Sequence, residues 1–167
     1  EKKEQPAPWY YEQLMLGYNY RMNDIQAALG ASQMRRLDNF LDKRNILAKN
    51  YNMLLSDNDF QLPVSDDDYF SSFHLYVILL PKEISEEDHL EIFSKLRNDN
   101  IGVNLHYIPI YKHPYYRNFG FNPDLYPAAE SYYKSAISIP LFPGLTFEEQ
   151  EFIVETLQTP PGYQNLF

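Results

Sequence analysis

Hydrophobic positions first take up a helical period after residue 23. Ile25, Ala28, Leu29, Leu37, Phe40, Leu41, Leu47, Ala48, Tyr51, Leu54 and Leu55 fall largely on one stripe. Asn23, with Gln26 three residues on, forms a capping box at the start. The pattern predicts one helix from Asn23 to about Leu55, a rod of roughly 50 Å at about 1.5 Å per residue. A rod that long outreaches a single small core, so it is expected to bridge to a second domain or subunit. Gly30 lowers its helix propensity and reads as a close-packing position rather than a break. Ahead of the helix, residues 1–15 are irregular, with Pro6 and Pro8 blocking regular structure.

The period then shortens. A polar loop over 56–71 holds a short strand around Phe60–Leu62. SSFHLYVILL (71–80) is β-branched and aromatic and reads as a buried strand stopped by Pro81. Ser85-Glu86-Glu87-Asp88 caps a helix over about 86–99, and Ile101–Leu105 forms a second strand. A proline- and tyrosine-rich loop occupies 106–127. A short helix follows over about 127–135, then a third strand at Ile137–Ile139. Thr146 and Glu149 cap a last helix that runs to about Leu157, and Pro160-Pro161-Gly162 ends it. The fold class is α+β: a small, mainly antiparallel sheet with helices on one face, plus the long helix. There is no internal repeat and no low-complexity segment.

Composition narrows the functions available. The length of 167 residues suits one ordinary domain, and 44% hydrophobic residues exclude a disordered tail. The net charge of −9 argues against nucleic acid or an anionic membrane as the main partner, while a local basic site can still hold a phosphate. With no cysteine, disulfides and thiolate metal sites are out, which fits a cytoplasmic protein. The longest apolar run, Leu75–Leu80, is strand-sized, far from the ~20 residues of a membrane span. The N-terminus is not a signal peptide. The first methionine is Met15, so residue 1 is not expected to be the natural start.

Most ionisable clusters have a structural reading. Glu86/Glu87 and Glu148/Glu149 occupy first turns of helices, where the dipole favours acids. Asp66-Asp67-Asp68 lacks the alternating spacing of a calcium loop and reads as a solvated loop. No histidine pair has zinc-like helical spacing, and no metal site is expected. His74 falls in the predicted buried strand and is expected in a core or interface; His89 is expected at a helix surface. His106 differs. In NLHYIPIYKHP (104–114) it leaves a strand and enters a loop crowded with Tyr107, Tyr111, His113, Tyr115 and Tyr116, a setting that often carries ligands.

There is no GxSxG elbow, no phosphate-binding glycine loop and no dinucleotide fingerprint. A bound phosphate therefore needs another holder. Gly17-Tyr18-Asn19-Tyr20-Arg21, just before the long helix, is a candidate: Asn19 can donate its amide to an anionic oxygen, and Arg21 adds a cation. The alternative is a helix-entry turn, with Asn19 on the backbone and Arg21 paired to Asp24.

GYNYRMNDIQAALGASQMRRLDNFLDKR, SSFHLYVI, IGVNLHYIPIYKHPYYRNFGF and AAESYYKSAISIPLFPGLTFEEQ, in that order, resemble the C-terminal half of the DegT/DnrJ/EryC1/StrS sugar aminotransferases. The match covers nearly the whole chain. WYYEQLMLGYNYRM and HYIPIYKHPYYR are most similar to the branch that serves pseudaminic acid synthesis. That branch aminates a UDP-linked 4-keto-6-deoxy sugar, with glutamate as donor.

The resemblance implies the small C-terminal domain of a fold type I, pyridoxal-phosphate-dependent enzyme that acts as a homodimer. Residues 1–22 correspond to a cofactor-site loop from the end of the large domain, 23–55 to the connecting helix and 56–167 to the small domain. It further implies that the large domain and the lysine carrying the cofactor precede this segment. None of Lys2, Lys3, Lys43, Lys49, Lys82, Lys95, Lys112 or Lys134 stands at that lysine's position, so no catalytic residue lies here and the segment alone is inactive. Asn19 matches the asparagine that reaches the neighbouring subunit's cofactor phosphate and substrate, with Arg21 as phosphate support. Asn104, Leu105, His106 and Tyr107 match the loop lining the nucleotide-sugar site. Asn23 stands where the family commonly has Thr or Ser, and caps equally well. Two alternatives remain: a relative with histidine in place of the lysine, acting as a sugar dehydratase, and a non-catalytic module for dimerisation or sugar-nucleotide binding. The upstream sequence separates all three: a lysine followed by a glycine-rich turn supports transamination, a histidine supports dehydration, and a start codon near residue 1 supports a module.

Overall fold

Where the hydrophobic stripe predicts one helix, there are two. In the computed structural model, which describes residues 7–64, 68 and 70–158, α1 spans Asp24–Met34 and α2 spans Leu37–Leu54. Between them the Arg36 N–H bonds the Gln33 carbonyl three residues back, at 3.0 Å, and the helical ladder stops. Arginine is a good helix former, so propensity gives no sign of this turn. The chain divides here into two units, residues 1–36 and 37–167.

The first unit, taken by itself, is a non-helical segment leading into α1. The predicted capping box is present: Asn23 Oδ1 accepts the Gln26 N–H at 2.9 Å, and Gln26 Oε1 accepts the Asn23 N–H at 3.1 Å. Two of the orphan donors of a helix start are thereby satisfied reciprocally. Every described residue of this unit is exposed, the apolar stripe of α1 included.

The second unit holds the core. Strands β1 (Tyr76–Leu79) and β2 (Ala136–Ile139) pair antiparallel, with Tyr76 opposite Ile139 and Ile78 opposite Ile137. Single antiparallel bridges widen the sheet on each side, Gln61 with Leu79 and Asn104 with Ser138. Helix α3 spans Glu86–Asn98, α4 Pro114–Arg117, α5 Pro127–Ser135 and α6 Phe147–Gln158. Tyr51 from α2, Ile78 from β1, Leu96 from α3, Ile137 from β2 and Leu157 from α6 are all buried in one cluster. Each such side chain contributes about 1.5–3 kcal/mol of transfer free energy.

Buried polar groups fix how these elements meet. Gln150, fully buried on α6, donates to the Leu47 carbonyl of α2 at 3.0 Å and accepts from Asn50 Nδ2 at 2.9 Å. Tyr51 and Tyr76 pack ring against ring, 4.9 Å between centroids. Their hydroxyls reach the Pro140 carbonyl and Asn52 Oδ1. Burial raises both phenol pKa values well above the ordinary range.

Three of the four predicted strands are shorter than their patterns. The 71–80 strand begins only at Tyr76, because Phe73 takes a left-handed φ of 43°. The carbonyls of Phe73 and His74 turn instead to the Arg44 guanidinium, at 2.9 and 3.3 Å. His74 therefore lies exposed at a bend, not in a buried strand. Over 101–105 only Asn104 pairs; the Val103 N–H bonds Ile101, and the Leu105 N–H bonds the Asn104 side chain, so neither joins a ladder. The Phe60–Leu62 strand is reduced to the bridge at Gln61.

His89 departs the other way. It is half-buried, its Nε2 3.2 Å from the Ala136 carbonyl, and burial lowers its pKa although that hydrogen bond opposes the shift. The helix starts read from sequence are present. Ser85 Oγ accepts the Asp88 N–H, and Thr146 and Glu149 cap each other at 2.8 and 3.1 Å. Residues 1–6, Asp66, Asp67 and Pro160-Pro161-Gly162 lie outside the described residues. Among those described, no helix is long and apolar enough to cross a membrane.

Candidate functional site

β2 places Ser138 with its side chain almost fully buried. Asn104 bridges to it through both backbone groups: the Asn104 N–H donates to the Ser138 carbonyl at 3.2 Å, and the Ser138 N–H to the Asn104 carbonyl at 2.8 Å. Two residues on, His106 turns back so that its Nδ1 lies 2.8 Å from Ser138 Oγ. Its Nε2 lies 3.4 Å from Asn104 Nδ2. The Asn104 Oδ1 is engaged by the Leu105 N–H at 2.8 Å. The His106–Tyr107 peptide bond is cis, and the two rings meet edge to face, 4.7 Å between centroids. Tyr107 itself is 72% exposed.

α5 holds the loop from the other side. Tyr132 donates its hydroxyl to the His106 carbonyl at 2.9 Å. Glu130 takes both the Tyr111 hydroxyl, at 2.8 Å, and Lys112 Nζ, at 2.7 Å. Tyr111 also stacks on Tyr126, 5.0 Å away, and Lys112 sits over the Tyr133 ring at 4.8 Å. Lys112, then Tyr111, stabilise the Glu130 carboxylate and lower its pKa; burial, with the Glu130 charge, pushes the Tyr111 phenol up to about 12. The proline- and tyrosine-rich loop is thus pinned at His106, Tyr111 and Lys112. Short helical turns, at Ile110–Lys112, α4 and Pro123–Leu125, take up much of the rest.

Of the residues singled out in sequence, Asn104, Leu105, His106 and Tyr107 come together here, in the second unit. Leu105 contributes its backbone N–H. Asn19 and Arg21 lie in the first unit. There the Tyr18 and Tyr20 rings stack at 5.2 Å, with Asn19 between them in sequence. Both Asn19 and Arg21 are exposed, and no hydrogen bond or ion pair to another described residue engages either side chain. The Arg21–Asp24 pair of the alternative reading does not form. An amide and a guanidinium with free N–H groups are a donor set that fits a phosphate. Sequence reasoning missed Ser138, Tyr132 and Glu130. Ser138 stood in a predicted strand, but which loop it would face was not readable from period.

Residues 3–158 match the DegT/DnrJ/EryC1/StrS aminotransferase family. The chain belongs to that family. Among its relatives, the UDP-4-amino-4,6-dideoxy-N-acetyl-beta-L-altrosamine transaminase of Campylobacter jejuni is 35% identical over 150 residues, 89% of this chain and 39% of that protein. Among solved structures, Helicobacter pylori PseC, an aminotransferase of pseudaminic acid biosynthesis, superposes with a TM-score of 0.79 at 30% identity, over 92% of this chain and 41% of PseC. Spr1654 of Streptococcus pneumoniae, in its PLP form, gives a TM-score of 0.80 at 29% identity, over 89% of this chain and 38% of its own. The chain spans about two fifths of the length of these proteins.

Proposed function

We propose that the chain is the C-terminal part of a pyridoxal-phosphate-dependent nucleotide-sugar aminotransferase. The reaction moves an amino group from glutamate to C4 of a UDP-linked 4-keto-6-deoxy sugar. The whole protein works in the cytoplasm as a homodimer whose site is shared between subunits. The lysine that carries the cofactor belongs to a large domain upstream, so residues 1–167 alone are inactive. One observation carries this reading: in a chain of this family, the loop at Asn104–Tyr107 is braced from β2 and α5, yet leaves Asn104 and Tyr107 exposed.

Pyridoxal phosphate supplies an electron sink that lets an amino group pass between two carbon skeletons. The residues of this chain bind and orient. Asn19 donates amide hydrogens to the cofactor phosphate of the neighbouring subunit and reaches its substrate, while the Arg21 guanidinium adds charge to the same contact. Asn104, His106 and Tyr107 hold the nucleotide sugar, and the Leu105 N–H keeps the Asn104 side chain in place. Binding energy spent far from the reacting carbon is what orients it.

The test is the reaction of the whole protein with pyridoxal phosphate, glutamate and a UDP-linked 4-keto-6-deoxy sugar, followed by mass spectrometry. Expected are the 4-amino sugar nucleotide and 2-oxoglutarate in equal amounts. Loss of water from the sugar, without amine gain, would mark a dehydratase instead.

A further inference from the structure

The hydrogen bonds around His106 determine which face of its ring is a donor and which an acceptor. The Leu105 N–H donates to Asn104 Oδ1 at 2.8 Å, which orients the amide, since the opposite flip would set two donors together. Asn104 Nδ2 is then the group 3.4 Å from His106 Nε2. An N–H facing an N–H is repulsive, which favours Nε2 as the bare nitrogen and Nδ1 as the carrier of the hydrogen. At 2.8 Å that hydrogen points to Ser138 Oγ. The opposite assignment, with Ser138 donating to Nδ1, brings Nε2–H against the Asn104 amide.

We infer that the Asn104 amide selects the Nδ1–H tautomer of His106 and that Ser138, accepting that hydrogen, is a positioning residue that holds the ring, so that Asn104 Nδ2 and His106 Nε2 present an adjacent donor and acceptor to a sugar hydroxyl. The spacing suits this. The 3.4 Å contact is long for a hydrogen bond and readily yields to a better one. A hydroxyl both donates and accepts, and so can bond Nε2 and the amide together. A phosphate oxygen can satisfy only the amide, and its lone pairs oppose the bare nitrogen. The pair therefore reads the sugar, not the diphosphate. Ser138 is well suited to hold the ring: it is buried, and both its backbone groups are tied to Asn104. This inference rests on the nucleotide-sugar function proposed above.

Two measurements on the whole protein test it. The first is the long-range proton–nitrogen NMR spectrum of His106, recorded in mildly alkaline buffer. The expected signals are a protonated Nδ1 and a bare Nε2. Asn104→Asp, whose carboxylate accepts where the amide donates, should reverse that preference, while Ser138→Ala should speed exchange of the Nδ1 hydrogen with solvent and Ser138→Thr, which keeps the hydroxyl, should slow it again. A protonated Nε2 in the wild type, or an unchanged tautomer in Asn104→Asp, overturns the tautomer assignment, and unchanged exchange in Ser138→Ala overturns the positioning role. The second compares binding of UDP with that of a UDP-linked acetamido sugar. Asn104→Ala and His106→Phe should each weaken the sugar nucleotide by about fivefold to tenfold and leave UDP unchanged. Equal losses for both probes overturn the hydroxyl contact. A wild type that binds neither probe overturns that contact along with the proposed function, whereas the tautomer is decided by the spectrum alone.

Discussion

His106 and Ser138 stand 32 residues apart in sequence, and their side chains meet at 2.8 Å. That contact joins a loop residue to the buried face of β2. It converts a histidine on a tyrosine-rich loop into a group of set orientation.

Tyr132 braces the same loop through the His106 carbonyl. Tyr132→Phe keeps the ring and removes only the hydroxyl, so stability should fall by about 0.5–1.5 kcal/mol. If the loop lines the nucleotide-sugar site, KM for that substrate should rise while KM for glutamate stays constant. Steady-state kinetics with each substrate varied in turn check this; equal changes in both would show that the brace acts on the whole fold.

Asn19→Ala in the whole protein should weaken pyridoxal phosphate by ~1.5–3 kcal/mol, the range for a hydrogen bond to a charged group. A spectrophotometric titration with cofactor measures it. Unchanged affinity would remove Asn19 from the phosphate contact.

His89 should make stability depend on pH. Its folded pKa is lowered, chiefly by burial, so the folded state prefers the neutral ring. The unfolded state takes the proton first as pH falls. The contribution is thus complete above the unfolded pKa of ~6.5 and shrinks as pH drops toward the lower folded value. Thermal unfolding followed between pH 8 and pH 5, on the order of the range that brackets this titration, should show a declining midpoint. In His89→Gln, which retains an amide donor for the Ala136 carbonyl, the part of that decline due to His89 should vanish. An identical slope in the variant would show that other groups cause it.

Ile137→Ala should be severe. Ile137 is fully buried and sits opposite Ile78, also fully buried, across the two strands. Deleting it leaves a cavity in the centre of the second unit and should cost about 2–5 kcal/mol. Urea unfolding would measure the loss; a cost under ~1 kcal/mol would mean the core collapses around the gap.

Local signals were the ones readable in advance. The Asn23–Gln26 and Thr146–Glu149 boxes join residues three apart and depend on little else, and both form as the sequence indicates. The helices at 86–98, 127–135 and 147–158 and the strand at 136–139 likewise follow from short-range pattern. Residues 71–75 did not, because the Arg44 side chain, from α2, takes the carbonyls that a longer strand would use. From sequence His89 reads as a surface residue, because its burial against Ala136 comes from an element 47 positions later.

Alone, the sequence determined the family resemblance, the helix starts at Asn23, Ser85 and Thr146 and the residue types available at Asn19, Arg21, Asn104 and His106, since these depend on residue type and close neighbours. Tertiary structure decided where the helical stripe splits, how far each strand runs, and that a buried serine and a tyrosine hold the loop at His106. Those outcomes depend on hydrogen bonds between residues far apart in the chain, and no local period encodes which distant partner will claim a backbone carbonyl or a ring nitrogen.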